Sequence, residues 1–181
     1  MNWGELAKDI AAAARSSFSE LLAQHRDETF YAFALYTDED CYTIEPAANS
    51  LEQYHGKMSR KGKADPQSLA YYRWASAEWA YESFAASPFD AICQKLSAAS
   101  DEVSGDMTAF GAFKTDVQRA MIEGLKLLAS DGFFDQLRAR AVLFITSSDH
   151  DEAKEMEDGS ARILNPPEVY ELFHRRYQAT I

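Results

Sequence analysis

Arg140-Ala141-Val142-Leu143-Phe144-Ile145-Thr146 runs directly into Ser147-Ser148-Asp149-His150-Asp151-Glu152. The first seven residues are apolar and partly β-branched, a composition suited to a buried strand. The six that follow are polar and carry one of the four histidines between two aspartates. Loops at strand ends are held by a rigid sheet and still reached by solvent, so a site is most readily built there.

Working outward, helical and extended periodicities alternate in blocks. Leu6, Ile10, Ala13, Phe18, Leu21 and Leu22 recur three or four residues apart between Trp3 and Gln24, which predicts an amphipathic helix. The aromatic run Phe30–Tyr36 and the alternating Cys41–Glu45, joined by Thr37-Asp38-Glu39-Asp40, predict a β-hairpin closed by a four-residue loop. Pro46 is expected to end its second strand, with a short helix near Asn49 to His55. Gly56 to Pro66 carries four positive charges and two glycines, and is expected to be a loop.

Leu69–Trp74 reads as extended, with Ser76 capping a helix over residues 77–82. Ser87-Pro88 is expected to start another helix, whose stripe is Phe89, Ile92, Cys93 and Leu96. After a linker at Ser100–Gly105, Phe110, Phe113, Val117, Met121, Leu125 and Leu128 mark the longest helix, closed by Gly132. Beyond the opening strand come an acidic loop, a further short strand at Ser160–Leu164, and a last helix after Pro166-Pro167. Segregated helices and strands favour an α+β fold, one domain over residues 1–181, with a largely antiparallel sheet and several helices against it.

Composition narrows the function classes. With 18 basic and 29 acidic side chains the formal charge is −11, a field that opposes phosphate backbones and anionic lipid and favours a basic partner. Two cysteines without metal-ligand or CxxC spacing indicate a reducing compartment. No run approaches the roughly 20 apolar residues of a membrane span, and the N-terminus lacks a secretory pattern, so a cytoplasmic protein is expected. No cofactor, metal or nucleic-acid motif is present, and nothing pairs a nucleophile with a base.

Two constellations stand out. Ser148, Asp149, His150 and Asp151, continued by Glu152 and Glu155, offer nitrogen and oxygen donors that could serve a metal-dependent hydrolase or modifying enzyme. The same residues suit a turn opening an acidic, partner-facing loop. Arg73, Trp74, Glu78 and Trp79 form the second group. Exposed, they would anchor an interface; buried, they belong to the core.

Phe30–Tyr36, Ile44-Glu45-Pro46-Ala47-Ala48-Asn49-Ser50, Tyr72-Arg73-Trp74-Ala75-Ser76-Ala77-Glu78-Trp79, Ser148–Asp151 and Ser160-Ala161-Arg162-Ile163-Leu164-Asn165-Pro166 together resemble the bacterial DUF4303 family of domains of unknown function. That resemblance spans nearly the whole chain. It implies a small cytoplasmic protein encoded near polymorphic or contact-dependent toxin genes, an immunity-like inhibitor more than an enzyme. The acidic balance adds the expectation of a basic cognate toxin, such as a nuclease.

Overall fold

The computed structural model describes residues 1–62, 65–137, 139–148 and 150–178, with only the backbone for residues 150–152. Four strands form one sheet in the order β3-β2-β1-β4: β1 (Phe30–Thr37), β2 (Ile44–Ser50), β3 (Tyr81–Glu82) and β4 (Val142–Ser147). The β1–β2 and β2–β3 pairings are antiparallel, and β4 lies parallel to β1 with Ala32 beside Val142 and Thr37 beside Ser147. The sheet is thus mixed and mostly antiparallel, within an α+β fold.

Each face of the sheet buries its own core. On one side Phe33, Leu35, Leu143 and Ile145 meet α1 (Trp3–Gln24), α4 (Asp90–Val103) and α5 (Met107–Ser130). On the other, Tyr31, Ala34, Val142 and Phe144 meet α2 (Leu51–Lys61), α3 (Pro66–Trp74), α6 (His150–Leu164) and α7 (Pro167–His174). Because β1 and β4 are covered on both sides, they read as continuous apolar runs instead of alternating ones.

The first helix, the long α5 and the positive φ of Gly132 follow the expected pattern. Several segments differ from expectation. Ser160–Leu164 is the end of α6, and the acidic stretch before it is helical too. Its inward positions, Ala153, Glu157, Ser160, Ala161 and Leu164, keep helical spacing but are mostly small or polar, so the stripe is faint in sequence. Leu69–Trp74 lies in α3, started by Asp65 as N-cap and Pro66 in the first turn. Most of the expected basic loop is α2, capped by Ser50 and stopped at Gly62, whose φ is 77°; Gly56 lies inside it.

Pro46 lies within β2 opposite Leu35, and β2 extends to Ser50. Its carbonyl accepts from Ser83 N–H at 3.0 Å, so its missing N–H faces short β3 and leaves the β1 ladder intact. The hairpin loop runs over residues 38–43 and includes Cys41 at a φ of 59°. The Asp38 carboxylate holds it by accepting from the N–H groups of Asp40, Tyr42 and Thr43. Ser76 caps nothing: a 3-10 turn, Ser76–Glu78, leads straight to β3. The expected linker is largely the last turn of α4, with Ser100 buried.

Candidate functional site

β1 and β4 are parallel neighbours, so both chains leave the sheet at the same end. A crevice outside the carboxyl ends of such strands is a common place for a ligand. Here a cavity of about 270 Å³ opens there. Tyr36 comes from β1, Thr146, Ser147 and Ser148 from the end of β4, and Glu82 from β3; α6 adds Lys154 and Glu157. Tyr71, Ser76 and Tyr177 complete a hydroxyl-rich wall.

The floor is an ion-pair network. Glu157 is buried on α6, accepts from the Thr146 hydroxyl at 2.8 Å, and pairs with Arg176 at 2.8 Å. Arg176 has a fully buried side chain; it also bonds Asp158, and its guanidinium lies 3.9 Å from the centre of the Phe173 ring. Burial pushes the Glu157 carboxyl above the ordinary range despite its bonds to Thr146 and Arg176. Arg176 moves upward because its bonds to Asp158 and Glu157 outweigh burial, so the guanidinium remains charged. The network ties the chain's last described turn to α6.

Glu82 on the cavity wall has other carboxylates nearby. Burial, then the nearby charges of Glu45 and Glu78, raise the pKa of Glu82, with Lys57 acting in the opposite direction. Lys57 itself pairs with Glu78 at 2.6 Å. Glu45 accepts from the Tyr36 hydroxyl at 2.7 Å and from the hydroxyl of exposed Ser83, whose φ is 54°. Such like charges held together favour a cation beside them, a place that Lys57 takes at Glu78.

Of the opening constellation, Ser148 lines the cavity and donates its N–H to Thr37 at 2.9 Å. Asp149 lies outside the described residues, as do the side chains of His150, Asp151 and Glu152, whose backbone starts α6. Glu155 is exposed on that helix. Among the described residues no group of three or more His, Cys, Asp or Glu side chains could hold a metal ion.

The second constellation is brought together inside the fold. Trp79 is buried and donates its indole N–H to the Arg73 carbonyl at 2.9 Å; the Tyr31 hydroxyl donates to the same oxygen at 2.6 Å. Asn49, also buried, donates to Tyr31 at 3.0 Å. Trp74 packs edge-on against Tyr31 and Phe173. Trp79 therefore belongs to the core reading, and Glu78 is occupied by Lys57.

One polar cluster gave no local warning in sequence. The Glu28 carboxylate accepts from Ser50 at 2.5 Å, Gln53 at 2.8 Å and Tyr81 at 2.7 Å, and lies 3.5 Å from His25 Nδ1. Burial works to raise its pKa, but the bonds from Ser50, Gln53 and Tyr81 and the charge of His25 leave it lowered. Three of its partners lie 22, 25 and 53 residues away, so only the folded hairpin and β3 assemble it.

These elements define an α+β domain whose four-stranded mixed sheet carries a cleft at the strand ends, with Glu82 and Glu157 in its lining. A family model described as Domain of unknown function (DUF4303) matches residues 10–166, and the chain belongs to that family. Comparison with curated proteins and with solved structures finds no match. Among the described residues no helix is long and apolar enough to cross a membrane.

Proposed function

We propose that this protein is an immunity-like inhibitor that acts in the cytoplasm by binding a basic cognate toxin at the cleft beyond β1 and β4. The observation that carries the proposal is the position of Glu82 on the cavity wall, with the like charges of Glu45 and Glu78 close to it. A cationic side chain from a partner relieves that repulsion, and the overall charge of −11 steers such a partner inward. Hydroxyls of Tyr36, Ser76 and Ser148 supply further hydrogen-bonding groups around it.

Co-expression with a toxin domain encoded beside this chain tests the reading. The expected result is restored growth and a complex that co-elutes by size exclusion. Replacing Glu45 and Glu82 with Gln should slow association and flatten its dependence on salt, since charges near the rim act mainly on encounter. No rescue and no complex would overturn the proposal.

A further inference from the structure

At the opposite end of β4 from that cleft, a second cavity of about 310 Å³ is lined by Arg73, Arg140, Tyr31, Trp74, Phe173 and Leu172, among others. Among the described residues no acidic side chain lines it, although the chain has 29. The Arg73 guanidinium lies 5.2 Å from the Tyr31 ring centre, 5.2 Å from that of Trp74 and 5.8 Å from that of Tyr54. Its Nε is buried without a hydrogen-bond partner, and among the described residues the group donates no hydrogen bond and forms no ion pair.

A guanidinium presents five N–H donors in a planar fork, and one held against aromatic rings with those donors unspent is arranged to receive a planar anion. Arg140, exposed at the same cavity, adds a second positive charge. The remaining walls are apolar, with Leu172 exposed at 77% and Phe173 buried. We propose that this cavity binds a small organic anion, a carboxylate on a planar apolar body, with Arg73 receiving the carboxylate and the aromatic wall receiving the body. Its volume is at the lower end of ligand sites, about 300 Å³ and upward, which restricts the occupant to metabolite size.

Benzoate is the probe, with benzyl alcohol as its uncharged counterpart and inorganic phosphate as an anion without an apolar body. Trp74 lines the cavity, so intrinsic tryptophan fluorescence reports occupancy. Saturable binding of benzoate is expected, with benzyl alcohol and phosphate each about tenfold weaker or more. Arg73→Met keeps the stem packed on the rings and should abolish the preference for benzoate over benzyl alcohol. Arg140→Gln, at an exposed position, should leave the melting temperature unchanged and weaken benzoate severalfold. The second variant decides the matter if the first does not fold. Equal affinity for benzoate and benzyl alcohol, tighter binding of phosphate, an Arg140→Gln protein with unaltered affinity, or no saturation up to about 20 mM would each overturn the assignment.

Discussion

Asn165→Ala should destabilise the protein through the outer edge of β4. In a parallel pair, alternate residues direct both backbone groups to the same side. Leu143 and Ile145 therefore direct theirs away from β1, where no strand follows. α6 supplies the missing partners. Asn165 accepts from Leu143 N–H at 2.8 Å and donates to Leu143 C=O at 2.7 Å, while the Ser160 hydroxyl accepts from Ile145 N–H at 3.0 Å. The alanine variant orphans two groups of a residue only 1% exposed. At about 1–3 kcal/mol for each buried unsatisfied group, and with some water reaching half-buried Asn165, the loss is about 2–4 kcal/mol. A urea slope of about 2 kcal/mol/M turns this into a midpoint shift of about 1–2 M. Asn165→Asp keeps the acceptor but points a carboxylate at the carbonyls of Leu143 and Ala161, so at neutral pH it should fall below alanine. A shift under about 0.25 M for the alanine variant would refute the edge-capping argument.

Ser160→Ala should cost about 1–3 kcal/mol by leaving Ile145 N–H unpaired, measured in the same urea titrations. Gly124→Ala should lower the melting temperature even though alanine favours helix by about 1 kcal/mol, because the added Cβ would lie 2.6 Å from Ile10 Cγ2 and 3.1 Å from the Ala7 carbonyl; a rise would show that α1 and α5 can separate cheaply. Glu28 has a depressed pKa, so its stabilisation is complete above the ordinary glutamate value and is lost as pH falls through the depressed one. Glu28→Gln should therefore cost about 2 kcal/mol at neutral pH, with the gap to the unmodified protein closing in acid; a pH-independent gap would count against the assigned linkage. Glu157 has a raised pKa, so the folded chain holds a proton that the unfolded chain has already released, and stability falls as pH rises from the ordinary glutamate value towards the raised one. Glu157→Gln should flatten that slope in unfolding curves across mildly acidic pH.

Helices with large apolar stripes were legible in the sequence, as α1 and α5 show: Ile10, Phe18, Leu21, Val117, Met121 and Leu125 keep the helical period over five turns or more. The strands β1 and β4 were legible for the opposite reason, since burial on both faces leaves no polar interruption. α3 and α6 were hidden. No residue of α3 is buried, so its sequence lacks a stripe, and its start rests on Asp65-Pro66, a pair equally at home in a loop. α6 turns small and polar residues inward because it must lie close to an open strand edge and hydrogen-bond it. The same close approach that makes Ser160 and Asn165 useful removes the bulky residues by which a helix is recognised.

The two constellations differ in a way that follows from where their partners lie. Arg73, Trp74 and Trp79 are neighbours in sequence, but what they do depends on Tyr31, Asn49 and Phe173, drawn from β1, β2 and α7. Four of the segments that resemble the family thus meet on one face of the sheet. Tyr31 and Asn49 bring β1 and β2 to the Arg73 carbonyl, and Ser160 and Asn165 clamp β4 beside them. A pattern dispersed over the sequence can therefore mark a family through one shared packing arrangement. This arrangement fixes the backbone carbonyl of Arg73 with two hydrogen bonds and leaves its guanidinium with none. Packing accounts for the position of that side chain but not for its charge, which places the second cavity on the functional side of the ledger.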